Sequence, residues 1–275
     1  MTALSDDSLT PDLTPSRLLE VAVAAARTAG THALTNLDRR TDIAQGFAHD
    51  VKLKLDLECQ TVAEQTLLSH FPSHAILGEE TADDATPTRS SPYLWIIDPI
   101  DGTVNFSHGL PHWCCSVAVR HRGITMAGAV YAPALAELYT AAAGGPAECN
   151  GQRLRTSSVP RLDQALVMTG LDQKVNPRMK RFALFRAIAD TVQKTRVMGA
   201  AALDICRVAK GQADGYFEAG IYTWDVAAAA LILENAGGRS EILANPSPHQ
   251  LLFLATNGHI HEELKSLISG HLAAE

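Results

Sequence analysis

The sequence predicts an α+β fold in which strands and helices form separate layers, and three features lead to this prediction. Strand candidates cluster between residues 93 and 141, where they follow one another through short turns. Helix candidates stand near the beginning of the chain and recur in its second half. The second half nevertheless lacks the steady alternation of strand and helix that is typical of a Rossmann fold, so a doubly wound sheet is not predicted.

The first helix is predicted to begin at Thr14-Pro15, because a capping threonine is followed there by proline at the first helical position. An apolar stripe with helical period follows, made of Leu18, Leu19, Ala22, Ala25, Ala26 and Ala29. A second helix is predicted over residues 57–69, and a short strand over 75–77 leads to Gly78. Residues 81–92 are rich in Asp, Thr, Ser and Pro, which predicts a surface loop.

The middle of the chain is predicted to form a strand over 93–97 and then a meander over 114–120, 125–131 and 135–141. Gly144-Gly145-Pro146 ends this series, and Asn150-Gly151 is typical of a tight hairpin turn. The later elements are predicted as strands over 166–169, 215–218 and 251–255 and as helices over 177–192, 200–210, 224–236 and 262–269.

Composition limits the classes of function. The formal net charge of −7 argues against nucleic-acid binding, because a phosphate backbone requires a surplus of Lys and Arg. No apolar run reaches the roughly 18 residues that span a bilayer, so no membrane contact is expected. The N-terminal residues are polar and acidic, unlike the basic and then apolar pattern of a secretory signal.

Five cysteines, an odd number, form no CxxC pair and are expected to be free buried thiols of a cytoplasmic protein. Adjacent Cys114 and Cys115 are expected on opposite faces of one strand. The length of 275 residues suits one large domain or two closely packed lobes. We expect a flexible segment over 1–15 and a single domain over 16–275, with lobes at about 16–145 and 146–275.

Acidic side chains stand at three places where an apolar element ends or begins. They are Glu79 after one strand, Asp98 with Asp101 after the next, and Asp225 at the start of a helix. Such side chains can converge in one cleft, because the packed elements behind them fix their positions. Four carboxylates would resist joint ionisation unless cations were present, and their four charges match two divalent ions.

The segment Asp98-Pro99-Ile100-Asp101 is the most informative of these places. Proline fixes its φ angle at about −65° and removes a backbone donor, so a rigid bend is expected to hold the two aspartates. The carbonyl of Ile100 between them completes a set of three hard oxygen ligands, of the kind that Mg²⁺ prefers. Gly102-Thr103 permits close backbone approach and can begin a helical turn whose N–H groups bind phosphate.

Each of these acids also has an ordinary structural explanation. A single aspartate after a strand is usually a turn-former. Asp225, taken alone, is an expected helix N-cap. The predicted metal site therefore depends on the conjunction of all four acids.

Three segments together resemble the inositol monophosphatase family: Gly78-Glu79-Glu80, Asp98-Pro-Ile-Asp-Gly-Thr-Val-Asn-Phe106 and Trp224-Asp225-Val-Ala-Ala. Their order and spacing match the family over about residues 16–269, with further matches over 150–151, 199–204, 208–211 and 234–238. The resemblance implies a layered αβαβα sandwich of the inositol monophosphatase and fructose-1,6-bisphosphatase type. It also implies a homodimer with magnesium-dependent, lithium-sensitive phosphatase activity.

The resemblance implies a metal-binding role for five matching residues. Glu79, Asp98 and the Ile100 carbonyl would hold a first Mg²⁺. Asp98, Asp101 and Asp225 would hold a second, and a third, weaker ion would contact Glu79. Two to three ions are therefore expected.

The resemblance also implies catalytic and substrate-binding roles. Glu79 and Thr103 would orient the attacking water, and Asp98 would act with them through the metal ions. Backbone groups of Gly102 and Thr103 would hold the phosphate. The residues expected to contact the substrate are Asp101, Gly102, Thr103, Ala201, Glu218 and Asp225.

The sequence departs from the family pattern at three places. Leu53-Lys-Leu-Asp56 stands where the family usually has Thr-x-x-Asp, so the threonine is missing. Asp56 is either part of the third-metal network or a helix N-cap. Ala200 replaces a more usual Ser or Thr, and Val104 a more usual Thr, which leaves the substrate specificity open.

An inositol monophosphate or a similar small polyol phosphate is the expected substrate. Glu218 favours a polyol, because a carboxylate accepts hydrogen bonds from neighbouring hydroxyls and would repel a second phosphate. The alternatives are histidinol phosphate, fructose bisphosphate and a 3′-phosphoadenosine phosphate, for which Tyr222 could stack on adenine. A regulatory binding protein that keeps this fold without catalysis is the alternative from a different class.

Overall fold

The computed structural model describes residues 13–46, 51–81, 91–170 and 180–272. Its helices are α1 (Pro15–Thr35), α2 (Lys54–His70), α3 (Thr103–Ser107), α4 (Lys180–Thr191), α5 (Ala201–Ala209), α6 (Thr223–Asn235) and α7 (His261–Leu272). The strands of the first half are β1 (Ile43–Gly46), β2 (Val51–Leu53), β3 (Ala75–Gly78), β4 (Tyr93–Asp101), β5 (Cys114–His121), β6 (Ile124–Ala132) and β7 (Glu137–Ala142). The remaining strands are β8 (Ala147–Cys149), β9 (Gln152–Arg153), β10 (Leu166–Thr169), β11 (Lys194–Arg196), β12 (Gly215–Tyr222), β13 (Arg239–Ala244) and β14 (Gln250–Thr256).

Two sheets and three sets of helices form five layers. A seven-stranded sheet has the order β3-β4-β5-β6-β7-β8-β9, and a five-stranded sheet has the order β11-β10-β12-β14-β13. Helices α1 and α2 pack on the outer face of the first sheet, and α4 and α7 pack on the outer face of the second. Helices α5 and α6 fill the space between the sheets. This αβαβα sandwich confirms the predicted fold class.

The apolar patterns explain how these layers pack. Thr14 accepts a hydrogen bond from the backbone N–H of Arg17 at 3.2 Å and thereby caps α1, as predicted. The stripe that begins at Leu18 is buried against the first sheet. Cys114 belongs to the core between the sheets and Cys115 to the core beneath α1, so the two thiols lie on opposite faces of β5. All five cysteines are buried and unpaired.

Several boundaries differ from the predictions. Helix α2 begins at Lys54 instead of residue 57, and β4 continues to Asp101 instead of ending at 97. Strands β1, β2, β11 and β13 were not predicted, and β8 and β9 were predicted only through the hairpin turn between them. Strand β13 begins with three polar residues and has no buried residue, and its pairing with β14 gives it the strand conformation.

Some predictions concern residues that the structure does not describe. Residues 1–12, most of the loop predicted over 81–92, and the first three residues of the helix predicted over 177–192 lie outside the described ranges. The division into lobes near residue 145 stays a prediction. None of the described helices combines the length and apolar character that a membrane crossing requires.

Candidate active site

A cavity of about 360 Å³ lies where the ends of β4 and β12 meet the first turns of α3, α5 and α6. Nine of the ten residues that the sequence assigned to metal, water or substrate line this cavity. They are Glu79, Asp98, Ile100, Asp101, Gly102, Thr103, Ala201, Glu218 and Asp225. The tenth, Asp56, does not line it. The fold therefore brings together acids that are far apart in sequence.

A β-bulge in β4 positions Asp98 and Asp101. Asp98 pairs with Ser116 of β5 and Asp101 pairs with Cys114, so three steps along β4 match two steps along β5. Pro99 lies inside this irregularity, where its missing N–H does not interrupt a regular ladder. The rigid bend predicted from the proline is thus a bulge within a strand.

Asp101 is directed at the first turn of α5. Its carboxylate accepts hydrogen bonds from the backbone N–H groups of Ala201 at 2.9 Å and Ala202 at 2.7 Å, which are free donors at a helix N-terminus. Burial, with a contribution from the nearby carboxylate of Asp204, raises the pKa of Asp101 to about 6. Asp204 is held in turn by Nε2 of His112 at 2.7 Å. This His112–Asp204 pair was not predicted from the sequence, because its members lie in different segments.

Asp98 is the most deeply buried of the four acids, with 1% of its surface exposed. Its Oδ1 accepts no hydrogen bond from an N–H or hydroxyl group of the described residues. Burial and the neighbouring charges of Glu79, Asp101 and Asp225 raise the pKa of Asp98 well above its ordinary value. Burial, followed by the charge of Glu80, also raises the pKa of Glu79 to about 8.

Asp225 lies in the first turn of α6 and reaches back to the helix entry. Its Oδ2 accepts a hydrogen bond from the backbone N–H of Tyr222 at 2.8 Å. Burial and the charges of Glu79 and Asp101 raise the pKa of Asp225 well above its ordinary value. Asp225 is therefore the third residue of α6, and the N-cap is Tyr222 instead of Asp225. The same Asp225 side chain both stabilises the helix start and lies beside the other acids.

The turn that carries Glu79 is held by Gln60, a residue of α2 that the sequence analysis missed. Oε1 of Gln60 accepts a hydrogen bond from the backbone N–H of Glu80 at 2.9 Å. The side-chain amide of Gln60 packs against Gly78, where any Cβ atom would collide with it. The sequence shows only a glutamine within a predicted helix. The burial of its side chain, which distinguishes it from other polar helix residues, is seen only in the structure.

Glu218 is positioned by Tyr216 and Gly170 at the other side of the cavity. The hydroxyl of Tyr216 donates a hydrogen bond to Oε2 of Glu218. A Cβ atom on Gly170 would collide with the Glu218 carboxylate, so this glycine leaves the space that the carboxylate occupies. Both Tyr216 and Gly170 line the cavity, and neither was identified from the sequence.

The start of α3 is closely packed. Gly102 has a φ angle of +92°, and a Cβ atom there would lie 3.1 Å from the carbonyl oxygens of Gly199 and His112. Nδ2 of Asn105 donates hydrogen bonds to the carbonyl oxygens of His112 at 2.8 Å and Met198 at 2.7 Å. The hydroxyl of Thr103 donates to the Ile100 carbonyl oxygen at 2.9 Å. The segment predicted to bind phosphate is thereby tied to the segment that carries the acids.

Asp56 occupies a different place. It is buried in the first turn of α2, and its Oδ2 accepts a hydrogen bond from the backbone N–H of Leu53 at 2.7 Å. Asp56 is thus the third residue of α2 and contacts the backbone of the N-cap residue Leu53, so it stabilises the helix start without being the N-cap that the sequence predicted. A part for Asp56 in a third-metal network stays a prediction.

The residues of the cavity fit Mg²⁺ by their donor chemistry. Burial and the mutual repulsion of their charges raise the pKa values of Glu79, Asp98 and Asp225, so the cluster without a cation holds protons that offset its charge. A divalent cation can replace these protons and can bind the otherwise unsatisfied Oδ1 of Asp98. Among the described residues, no three His, Cys, Asp or Glu side chains form a ready-made metal cage, so the fit rests on charge and oxygen donors.

Comparison with known proteins places these features in a family. The sequence profile of the inositol monophosphatase family matches residues 14–273. The Nus factor SuhB of Pasteurella multocida is 36% identical over 260 residues, which cover 94% of this chain and 90% of that protein. The chloroplastic phosphatase IMPL1 of Arabidopsis thaliana is 34% identical over 269 residues, with coverages of 94% and 72%.

A solved structure agrees with these sequence matches. The inositol monophosphatase from Anabaena (Nostoc) sp. PCC 7120 has a TM-score of 0.81 at 32% identity, and the match covers 94% of this chain and 99% of that one. The fold and the cavity thus place this chain in the class of αβαβα sandwich proteins that have an acidic site between the two sheets. The chain belongs to the inositol monophosphatase family, which confirms the resemblance drawn from its motifs.

Proposed function

We propose that this chain is a Mg²⁺-dependent phosphomonoesterase that hydrolyses an inositol monophosphate or a similar small polyol phosphate. The observation that carries the proposal is the buried Oδ1 of Asp98. This oxygen lies among three further carboxyl groups and accepts no hydrogen bond from an N–H or hydroxyl group of the described residues. A cluster of this kind is costly in a protein that binds no cation there. Family membership supports phosphatase activity in general.

The proposed ligands follow the family pattern. Glu79, Asp98 and the Ile100 carbonyl would hold one ion, Asp98, Asp101 and Asp225 a second, and Glu79 would contact a third. Bound Mg²⁺ would supply an acidified water as nucleophile and would neutralise charge on the phosphoryl oxygens. The amides of α5 already fix the carboxylate of Asp101, so it would not have to reorganise.

The remaining groups would position the reactants. The Thr103 hydroxyl donates to the Ile100 carbonyl, so its oxygen can accept a hydrogen bond from the attacking water. Glu79 would accept the second hydrogen bond of that water and hold it in line with the phosphorus atom. Backbone groups of Gly102 and Thr103 would hold the phosphate oxygens. Ala201 and Glu218 would contact the substrate hydroxyls.

The substrate assignment rests on Glu218. Its carboxylate lines the cavity and is oriented by Tyr216, so it can accept hydrogen bonds from neighbouring hydroxyls of a polyol. The same charge would repel the second phosphate of fructose bisphosphate or of a phosphoadenosine phosphate. Histidinol phosphate remains the closest alternative, because it carries one phosphate and no second anion.

Initial rates on a panel of phosphate esters with Mg²⁺ test the proposal. The panel should contain inositol 1-phosphate, histidinol phosphate, fructose 1,6-bisphosphate and 3′-phosphoadenosine 5′-phosphate. We expect the highest kcat/KM for inositol 1-phosphate, loss of turnover in a chelator, and inhibition by Li⁺. A preference for histidinol phosphate would replace the substrate assignment, and no hydrolysis of any ester with Mg²⁺ would contradict the phosphatase assignment.

We further propose that the protein is a cytoplasmic homodimer. An apolar surface near the cavity contains Val104, Leu110, Val197 and Met198, whose exposed fractions are 44%, 52%, 48% and 39%. Asn105 ties α3 to the Met198 carbonyl, so these side chains lie on neighbouring segments. Light scattering should give a dimer mass for the wild type and a monomer mass for Leu110→Asp with Met198→Asp. A monomeric wild type would contradict the proposal.

A regulatory role is the second candidate function, and the names of several relatives favour it. The relatives from Pasteurella multocida, Haemophilus influenzae and Vibrio cholerae are each called Nus factor SuhB. Such a role does not need turnover. A cellular function that survives Asp98→Asn, in a protein that folds normally, would be independent of catalysis.

A further inference from the structure

A second cavity, of about 370 Å³, lies away from the candidate active site and shares no lining residue with it. Its walls are the segment 153–158, the end of α6 and His259 in the loop before α7. Helix α6 starts at the active-site cavity with Asp225 and reaches the second cavity with its last turn. At 13 residues it is about 20 Å long, so the two cavities are well separated. We call the second one the arginine cavity.

Two arginines in the wall of this cavity have no hydrogen-bond or ion-pair partner among the residues that the structure describes. Arg153 and Arg155 are exposed, whereas Leu154 between them is 5% exposed. This alternation is typical of an extended backbone, which projects both guanidinium groups from the same side. Neither guanidinium takes part in a hydrogen bond or ion pair with any other described residue.

Several arginines elsewhere in the described chain are paired with carboxylates. Examples are Arg39 with Glu58, Arg207 with Glu137, and Arg161 with Asp163. By contrast, the described residues that line the arginine cavity include no Asp or Glu. The charges of the two guanidinium groups favour the approach of anions to this cavity.

The wall that carries the arginines is held in place by buried contacts. The hydroxyl of Ser157 donates to Oδ1 of Asp214 at 2.5 Å and accepts from Nδ2 of Asn257 at 3.0 Å. The backbone N–H of Thr156 donates to the carbonyl of Ala236 at the end of α6, at 3.2 Å. The backbone that follows the two arginines is therefore fixed, which reduces the ordering that a ligand would require.

We propose that the arginine cavity binds the phosphate group of a small molecule. Guanidinium groups bind phosphate oxygens through paired, charge-assisted hydrogen bonds. Ser158 and His259, which also line the cavity, add further hydrogen-bonding groups. A volume of about 370 Å³ lies in the range of small-molecule sites. This inference does not depend on the proposed function, because none of its residues belongs to the active site.

Calorimetric titration of the full chain with inorganic phosphate tests the site. The buffer should contain a chelator and constant chloride, so that the acidic active site repels phosphate instead of binding it through Mg²⁺. The test variant is Arg153→Gln with Arg155→Gln. The matched control is Lys194→Gln with Arg196→Gln, which removes two positive charges from exposed positions on β11.

We expect saturable binding to the wild type and to the control, and binding at least about tenfold weaker to the test variant, as the loss of charged hydrogen bonds implies. No saturation with the wild type, or equal weakening in both variants, would overturn the site. Unchanged thermal unfolding of the test variant would exclude misfolding as the cause.

Inositol 1-phosphate and AMP should be titrated beside phosphate in the same buffer, to identify the source of the phosphate group. Tighter binding of an ester than of phosphate, lost in the test variant, would assign a phosphorylated metabolite. Equal binding, lost in the same way, would assign free phosphate.

Discussion

Titratable side chains are buried at both ends of strand β4, but the two ends differ in whether the buried polar atoms have hydrogen-bond partners. At the start of the strand, His74 is stacked between Phe71 and Tyr93, with ring centroids 4.5 and 4.6 Å apart, and Tyr93 is stacked on His121 at 4.3 Å. At the other end, Asp98 has a buried oxygen that no N–H or hydroxyl group of the described residues contacts. One end is a closed stack of rings, and the other is an open group of acids.

The same physical cause acts at both ends. Burial lowers the pKa of His74 to about 4, and it raises the pKa of Asp98 well above the ordinary value. In each case the neutral form is favoured. Neutral His74 is satisfied, because its Nδ1 accepts a hydrogen bond from Nε1–H of Trp95 at 3.0 Å. A shifted pKa therefore does not by itself indicate a functional site; Asp98 differs from His74 because its unsatisfied oxygen also lies among other carboxyl groups in a cavity.

Asp98→Asn should have the largest effect, and it tests most directly how the two ends of β4 differ. We expect kcat to fall by about 10²-fold or more, as when a group that stabilises developing charge is removed. In a chelator, the variant should unfold at a temperature equal to or higher than that of the wild type, because a neutral amide removes the free-energy cost of protonating the Asp98 carboxyl on folding. Kinetics with Mg²⁺ and calorimetry in the chelator measure the two effects. Substantial remaining turnover would remove Asp98 from the metal site.

Tyr216→Phe should have a smaller effect on the same cavity. Loss of the hydrogen bond to Glu218 is expected to raise KM about fivefold, the equivalent of about 1 kcal/mol, with little change in kcat. Gly170→Ala should raise KM as well, because its Cβ would displace the same carboxylate. A fall in kcat with unchanged KM would show that Tyr216 does not act by positioning Glu218.

Asp56→Asn compares two helix entries that look alike. Asp56 and Asp225 each accept the N–H of the residue three positions earlier, at 2.7 and 2.8 Å, but only Asp225 lines the cavity. We expect Asp56→Asn to lower the free energy of unfolding by about 1 kcal/mol and to leave kcat unchanged. Asp225→Asn should abolish most turnover. A changed Mg²⁺ dependence in Asp56→Asn would instead support the third-metal role.

His74→Phe should have the smallest effect and tests the ring stack through pH. In the unfolded chain His74 binds a proton at pH values below its ordinary pKa of 6.5. In the folded protein its pKa is about 4, so it binds a proton only below about pH 4. Its contribution to stability is therefore full above pH 6.5 and is lost as the pH falls through about 4. The difference in unfolding free energy between wild type and His74→Phe should shrink over that range, with activity retained at pH 7. A difference independent of pH would contradict the burial of a neutral His74.

Local patterns predicted much of the fold. Helix α1 was found from a Thr-Pro start and an apolar stripe, and strands β5, β6 and β7 from apolar runs between turn residues. Strand β13 was missed because its pairing with β14 decides its conformation. The continuation of β4 through Pro99 was missed because proline is rare in regular strands, and only the register against β5 shows the bulge.

The sequence by itself determined which side chains have the chemistry for hard cations, their order along the chain, and the elements that carry them. Glu79, Asp98, Asp101 and Asp225 could be selected because charge and the ends of apolar runs are local properties. Tertiary structure alone decided that these four share one cavity while Asp56 does not, and that Gln60 and Tyr216 hold two of the cavity's walls. Burial and hydrogen-bond partners depend on contacts between distant segments, and the residue types at those positions do not specify them.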